Sequence, residues 1–251
     1  MKKVLFPTLL ALLLVTIVSC DKEDKKLTPA TPAYVHLAKE YTITGNDTIM
    51  TTYYWDNNVL KKAVTEEGVD WDSTSNLITT TTFYYENGLL TESHVKLTFE
   101  GVSVSKTNTL SYENGHISQF VSSYSIYDTI MVIDNFEFDA IGNITKMVYH
   151  REYGDIETLL TWDNGDAVTV SEGGVTYDYA YDGNPNAYTG FPIWMIENVV
   201  EHSMLASKHN RIDTVNFEYT YVGDKLVSKK QRYCNDGCLE THYVYTDGTG
   251  R

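Results

Sequence analysis

Among the side chains able to do chemistry, the cysteines carry the clearest spacing. Cys234 and Cys238, in Tyr233-Cys234-Asn235-Asp236-Gly237-Cys238, flank a short turn that ends in glycine, so their Cα atoms can lie within disulfide reach across a hairpin mouth. An oxidising compartment would make this a structural disulfide. The spacing is not Cys-x-x-Cys, and no second Cys or His pair stands at zinc-ligand spacing, so redox chemistry and a metal site are not expected. The 7 histidines, His36, His94, His116, His150, His202, His209 and His242, are scattered without a His-x-His or His-Glu-x-x-His arrangement. No Gly-x-Ser-x-Gly elbow, phosphate-cradling glycine loop or dinucleotide fingerprint appears. A pair of carboxylates across a cleft could hydrolyse a glycosidic bond, but with 34 acidic residues the sequence singles none out. Asp139 to Asn143 and Asp163 to Asp166 offer oxygen ligands for calcium without the register of a helix-loop-helix calcium loop, and turn chemistry accounts for them. The expectation is a protein that is not an enzyme and needs no cofactor.

Charge and aromatic content set the remaining bounds. The 251 residues carry 34 Asp and Glu against 19 Lys and Arg, a net charge of −15, so a nucleic-acid partner is excluded for want of basic clusters. A direct grip on anionic lipid head groups is disfavoured for the same reason. The chain also holds 20 Tyr, 8 Phe and 4 Trp, residues suited to pleated, half-buried surfaces. Rings on a wet face can stack on sugar rings, Tyr and Trp especially, although most rings of a sheet belong to its buried face.

The elements that position these residues are strands. An aromatic residue in an alternating run, an Asn, Asp or Gly turn, and a second alternating run recur along the chain. The copies are Tyr54-Trp55-Asp56-Asn57-Asn58, Tyr85-Glu86-Asn87-Gly88, Tyr112-Glu113-Asn114-Gly115, Phe138-Asp139-Ala140-Ile141-Gly142-Asn143, Trp162-Asp163-Asn164-Gly165, Tyr181-Asp182-Gly183-Asn184 and Tyr221-Val222-Gly223-Asp224. Asn-Gly is the signature of a two-residue loop in which both central residues take positive φ. The rings of Phe217, Tyr219 and Tyr221 share one face of their run, and those of Tyr177, Tyr179 and Tyr181 one face of theirs. About fifteen such runs joined by short connections predict an all-β, large antiparallel up-and-down meander. A flat sheet of that size leaves long edges, so it should curl into a barrel or half-barrel, or fold into a sandwich. Many runs carry Thr, Ser, Glu or Lys on the second face, as in Val102 to Thr107 and Leu226 to Arg232, which denies a membrane-spanning barrel its apolar belt. One segment departs from the pattern: Ile193, Ile196, Val200 and Met204 stand at helical spacing behind Pro192, predicting a single helix near residues 191–206. Trp194, Ile196 and Val200 would make it a plug or lid on the curled sheet.

At the start of the chain, Lys2 and Lys3 precede an apolar stretch from Val4 to Ser19. That stretch is shorter than the roughly 20 residues of a spanning helix and contains Pro7, so it reads as a secretory leader over residues 1–19. Ile17-Val18-Ser19-Cys20 resembles the lipobox of bacterial lipoproteins, which implies acylation of Cys20 and a membrane held through that lipid anchor. Lys22-Glu23-Asp24 resembles the export signal of surface-exposed lipoproteins in Bacteroidetes-type bacteria. Residues 20–33, with Pro29 and Pro32, would be an acidic tether, and residues 34–251 a single β domain. Asp47-Thr48-Ile49, Asp72-Ser73-Thr74, Asp128-Thr129-Ile130 and Asp213-Thr214-Val215 resemble the O-glycosylation acceptor of the same bacteria, implying Thr48, Ser73, Thr129 and Thr214 as acceptors.

The lipobox, the acidic tether, the repeated hairpins and Tyr181-Asp182-Gly183-Asn184-Pro185-Asn186 before the helical segment together resemble a family of Bacteroidetes lipoproteins with a porin-like domain of unknown function. The resemblance covers about Tyr34 to the C-terminus and brings no catalytic residues. It implies an outer-membrane lipoprotein exposed at the cell surface, with a periplasm-facing orientation as the alternative. The expected role is a non-enzymatic module binding a glycan or a surface protein. The alternative is an envelope carrier that holds an acyl ligand in a half-barrel.

Overall fold

The computed structural model describes residues 35–45, 47–68, 77–125, 130–150, 154–188, 191, 207–233, 238–247 and 249, all within one compact unit, Tyr34–Arg251. They form β1 (Leu37–Thr44), β2 (Asp47–Asp56), β3 (Val59–Glu67), β4 (Leu77–Glu86), β5 (Leu89–Phe99), β6 (Val102–Glu113), β7 (His116–Tyr124), β8 (Ile130–Phe138), β9 (Ile144–His150), β10 (Ile156–Asp163), β11 (Asp166–Glu172), β12 (Val175–Asp178), β13 (Ala180–Pro185), β14 (His209–Ile212), β15 (Phe217–Val222), β16 (Lys225–Gln231) and β17 (Glu240–Tyr245). The segment with Trp194, Ile196 and Val200, where a helical lid was expected, lies outside the described residues.

The fold is the expected antiparallel meander, with every neighbouring pair of strands antiparallel. β1 to β12 follow one another in a 15-stranded sheet, and β17, β16 and β15 continue it on the other side of β1. The sheet does not close: β12 and β15 are its two edges. β13 and β14 form a separate pair that bonds to both ends of the larger sheet. Near one end, Ser207 Oγ accepts from Ala167 N–H at 3.0 Å and Asp166 accepts from His209. Near the other, Tyr219 Oη accepts from Asp213 N–H at 2.7 Å, and Tyr221 donates to Asp182. One short pair of strands can reach β11 and β15 together only if the sheet curls its ends toward each other. The expected Tyr177-Tyr179-Tyr181 face is therefore split. Tyr177 stands 43% exposed on edge strand β12, whereas Tyr181 belongs to the second sheet, because Tyr179 N–H turns to bond Val168 O at 2.9 Å between the two strands.

The core lies on one face, where alternate residues of successive strands meet: Leu110, Phe120 and Ile133 are direct cross-strand neighbours and at most 4% exposed. The turns that set this register follow the predicted chemistry. Asn87-Gly88, Asn114-Gly115 and Asn164-Gly165 all have positive φ at both positions. Just before each turn the ladder slips by one residue at the aromatic, between Tyr54 and Trp55, Tyr84 and Tyr85, Ser111 and Tyr112, and Thr161 and Trp162.

The slip turns each aromatic into a latch. Its polar end donates to the carbonyl of the buried residue that follows the preceding turn: Tyr85 Oη to Leu60 O at 2.9 Å, Tyr112 Oη to Leu90 O at 2.8 Å, and Trp162 Nε1 to Ile144 O at 2.7 Å. Trp55 on Leu37, Tyr181 on Ala167 and Tyr245 on Leu226 repeat the contact. Tyr and Trp recur at this place because a large apolar body covers the core edge while the tip satisfies a buried carbonyl. Burial, reinforced by the neighbouring Tyr112 phenol, pushes Tyr85 up to about 12, so the latch keeps its donor proton across the ordinary pH range.

On β1, Glu40 is a carboxylate held between two phenols. Its Oε2 accepts from Tyr53 at 3.2 Å and from Tyr188 at 3.0 Å. Burial raises its carboxyl above the usual range, opposed by these two hydrogen bonds and by Lys229. Tyr188 and Phe191, which follow β13, pack edge-on to each other, and Phe191 packs against Tyr53 and Trp55. These contacts tie the segment after β13 to β1 and β2.

Candidate functional site

Among the described hairpins with a short turn, β8–β9 is the most irregular, and a cleft lies beside it. Here the aromatic is Phe138, which cannot donate, so Ile117 at the corresponding place in the preceding hairpin receives no latch from it. The turn is longer and is organised by Asp139, whose Oδ1 accepts from the backbone of Ile141 and Asn143, each at 2.9 Å, while Oδ2 accepts from Asn143 Nδ2 at 2.9 Å. Burial works against it, but these bonds and Gly142 hold the Asp139 carboxyl below the usual range. The Asp139 oxygens are thus occupied by their own turn, the turn chemistry expected for this segment in place of calcium ligation. β8 also slips twice, between Asp134 and Glu137 and again before Phe138, with Asn135 at φ +53° inside the strand. A non-glycine residue in the left-handed region within a strand marks a built bulge, a device that re-aims side chains.

Beside the bulge lies a cleft of about 700 Å³ between β6, β7 and β8, lined in part by Phe136 and Phe138, which are half-buried and also pack against the core. Ser111 pairs with Gln119 and Phe120 with Ile133, so Ser111, Gln119 and Asp134 share the face opposite the Leu110–Phe120–Ile133 core. Phe136, Phe138 and His116 supply the rings: His116 and Phe138 lie 4.6 Å apart between centroids, and Phe136 and Phe138 lie 6.4 Å apart and within 28° of parallel. Gly142 stands over this group, since a Cβ there would meet His116 Cε1 at 3.5 Å. Around the rings are Gln119, Asn135, Asp134 and Glu113, amides and carboxylates that donate and accept hydrogen bonds. Asp134 is held from behind by His150 Nε2 at 2.7 Å, and His150 Nδ1 meets Asp155 at 2.8 Å. The two carboxylates, Asp134 first, raise His150 above its usual range, which favours the imidazolium. Apolar ring faces bordered by amides and carboxylates can pack the C–H face of a sugar and pair its hydroxyls.

The residues singled out from the sequence are not gathered here. Cys20, Ser73, Thr129 and Cys234 lie outside the described residues, as do the lid positions. Cys238, in the β16–β17 connection, is disulfide-bonded. Thr48 begins β2 half-exposed, and Thr214 is exposed in the turn after β14. Phe136, Asn135 and Gln119 were not singled out. The available signal was the Phe138 copy, which is the longest turn of the series and the one whose aromatic lacks a polar tip.

The fold has a solved counterpart. The chain is similar to a porin-like protein from Bacteroides uniformis ATCC 8492, known from its crystal structure, with a TM-score of 0.51 and 13% sequence identity over 83% of this chain and 97% of that one. At this identity the likeness concerns the fold, and it agrees with the porin-like meander that the sequence resemblance implied. No family model matches the chain, and no curated protein matches it either.

Proposed function

We propose that the protein is a lipid-anchored envelope protein of the outer membrane, displayed at the surface, that binds a glycan without turning it over. The lipobox cysteine, Cys20, would supply the anchor. The observation that carries the binding role is the cleft at the β8 bulge: near-parallel Phe136 and Phe138 rings bordered by Gln119, Asn135 and Asp134. The carrier alternative finds less support. It needs open apolar space on the core face, where Leu110, Phe120, Ile133 and Met147 are at most 4% exposed. The test is isothermal titration of the detergent-solubilised full chain with neutral and acidic oligosaccharides, alongside Phe136→Ala. Saturable binding of one glycan class that Phe136→Ala weakens supports the reading, and the absence of binding to every glycan, or binding indifferent to Phe136, contradicts it.

A further inference from the structure

A second cleft, of about 470 Å³, lies between the β13–β14 pair and β15–β16. Its composition is unlike that of the first and unlike the acidic chain as a whole. Two cations line it, Arg211 on β14 and Lys229 on β16, and each is carried on an aromatic face. The Arg211 guanidinium lies 4.5 Å from the centroid of Tyr179, and Lys229 Nζ lies 4.1 Å from that of Phe217. Rings behind the two cations fix where their positive charge stands.

Lys229 is the anomaly. Lys146, Lys225 and Lys230 each meet a carboxylate in an ion pair, whereas among the described residues Lys229 meets none, although it is more deeply placed. Of the two acids that also line the cleft, Asp178 and Asp213, the latter is already engaged, its carboxylate accepting from Val215 N–H, Asn216 N–H and Asn216 Nδ2 at 3.2, 3.1 and 2.8 Å. Glu40 is committed to Tyr53 and Tyr188. A partly buried ammonium beside a guanidinium is repelled by it and gains from any anion that enters. Burial first and the Arg211 charge second pull Lys229 below its usual range, opposed by the charges of Asp213 and Glu40. Tyr219, paired with Lys229 across the strands, accepts the Asp213 N–H at 2.7 Å and so keeps its own hydroxyl proton for another acceptor.

We propose that this cleft binds a small organic carboxylate, whose oxygens meet Arg211, Lys229 and the Tyr219 hydroxyl while its body lies against Phe217 and Val215. The site is separate from the β8 cleft and stands or falls independently of the glycan reading. The decisive experiment titrates the full chain with benzoate and with galacturonate, which present the same carboxylate on an aryl and on a sugar ring, against benzyl alcohol as the uncharged counterpart. The expected result is saturable binding of at least one acid, none of benzyl alcohol, and a loss of about tenfold or more in Lys229→Met that Lys229→Arg largely restores. Lys229→Arg keeps the charge in place, so it separates a lost contact from a lost fold. Silence toward both acids, equal binding of benzyl alcohol, or a Lys229→Met protein that is folded by circular dichroism and binds as before would overturn the proposal.

Discussion

The regular hairpins and the β8–β9 hairpin are built from the same parts and differ in how the aromatic is used. In β2–β3, β4–β5, β6–β7 and β10–β11, a single slip aims a Tyr or Trp at the preceding hairpin, and its donor closes on a buried carbonyl. In β8–β9 the ring has no donor, a second slip precedes it, and a cleft lies beside it. The repeat therefore makes a wall, and its exception makes a recess. Local rules obeyed along most of a chain and broken at one place commonly mark the place where function is built.

The largest expected effect comes from removing the packing both regions share. Phe120, 1% exposed between Leu110 and Ile133, should cost about 3–5 kcal/mol on substitution by alanine, read as a shift in urea midpoint. A loss well under 1 kcal/mol would mean that the core face is far looser than this packing implies.

Smaller effects should separate the two kinds of hairpin. Tyr112→Phe removes the donor from the buried Leu90 carbonyl and should cost about 1 kcal/mol. Phe138→Tyr performs the reverse exchange. It should gain part of that amount if the new hydroxyl reaches Ile117 O, and it should weaken glycan binding by drawing the ring away from Phe136. If both substitutions leave stability unchanged, the latches are geometric coincidences. Gly115→Ala tests the turn alone, since a Cβ there meets nothing within 4 Å while φ is +82°; it should cost about 1 kcal/mol, from backbone strain alone.

Glu40 provides a pH test. Its carboxyl is raised in the folded chain by burial, so the fold holds the proton more tightly than the unfolded chain does. Stability should then fall as pH rises from the ordinary carboxylate value through the raised one. Glu40→Gln keeps an acceptor for Tyr53 and Tyr188 without the charge, so its Tm should exceed that of the parent at neutral pH and converge with it in acid. A difference in Tm that is constant across pH would show that ionisation at Glu40 is irrelevant to stability.

Much of the wall was legible in the sequence because its causes are local. Asn87-Gly88 and Asn114-Gly115 dictate the loop, and alternation on either side dictates which residues share a face. The latches were not legible, because each acceptor is a backbone carbonyl on the preceding hairpin and no side-chain type marks it. Nor was the pairing of β1 with β17, which joins the two ends of the domain through contacts such as Glu40 with Tyr243. The Tyr177–Tyr181 stretch misled for a related reason: its alternation is continuous, but Tyr179 turns its N–H to Val168, so one alternating run serves two sheets. The cleft was only half visible. A long turn and a Phe in place of Tyr or Trp distinguish its copy, whereas the slip that places Asn135 at positive φ leaves no mark in the residue types. The second cleft escaped because Arg211 and Lys229 line one recess only when the β13–β14 pair packs beside β16.

The central claim, that the exception in the repeat is the binding site, is tested most directly by one comparison. Calorimetric titration of the full chain with the best glycan of the panel, repeated for Phe136→Ala and for Tyr84→Ala, sets the cleft against an equally aromatic position on a regular hairpin, where Tyr84 is 45% exposed. The account predicts a loss of about tenfold or more for Phe136→Ala with little change for Tyr84→Ala. Equal losses, or a loss confined to Tyr84→Ala, would move binding from the recess to the regular wall and contradict it.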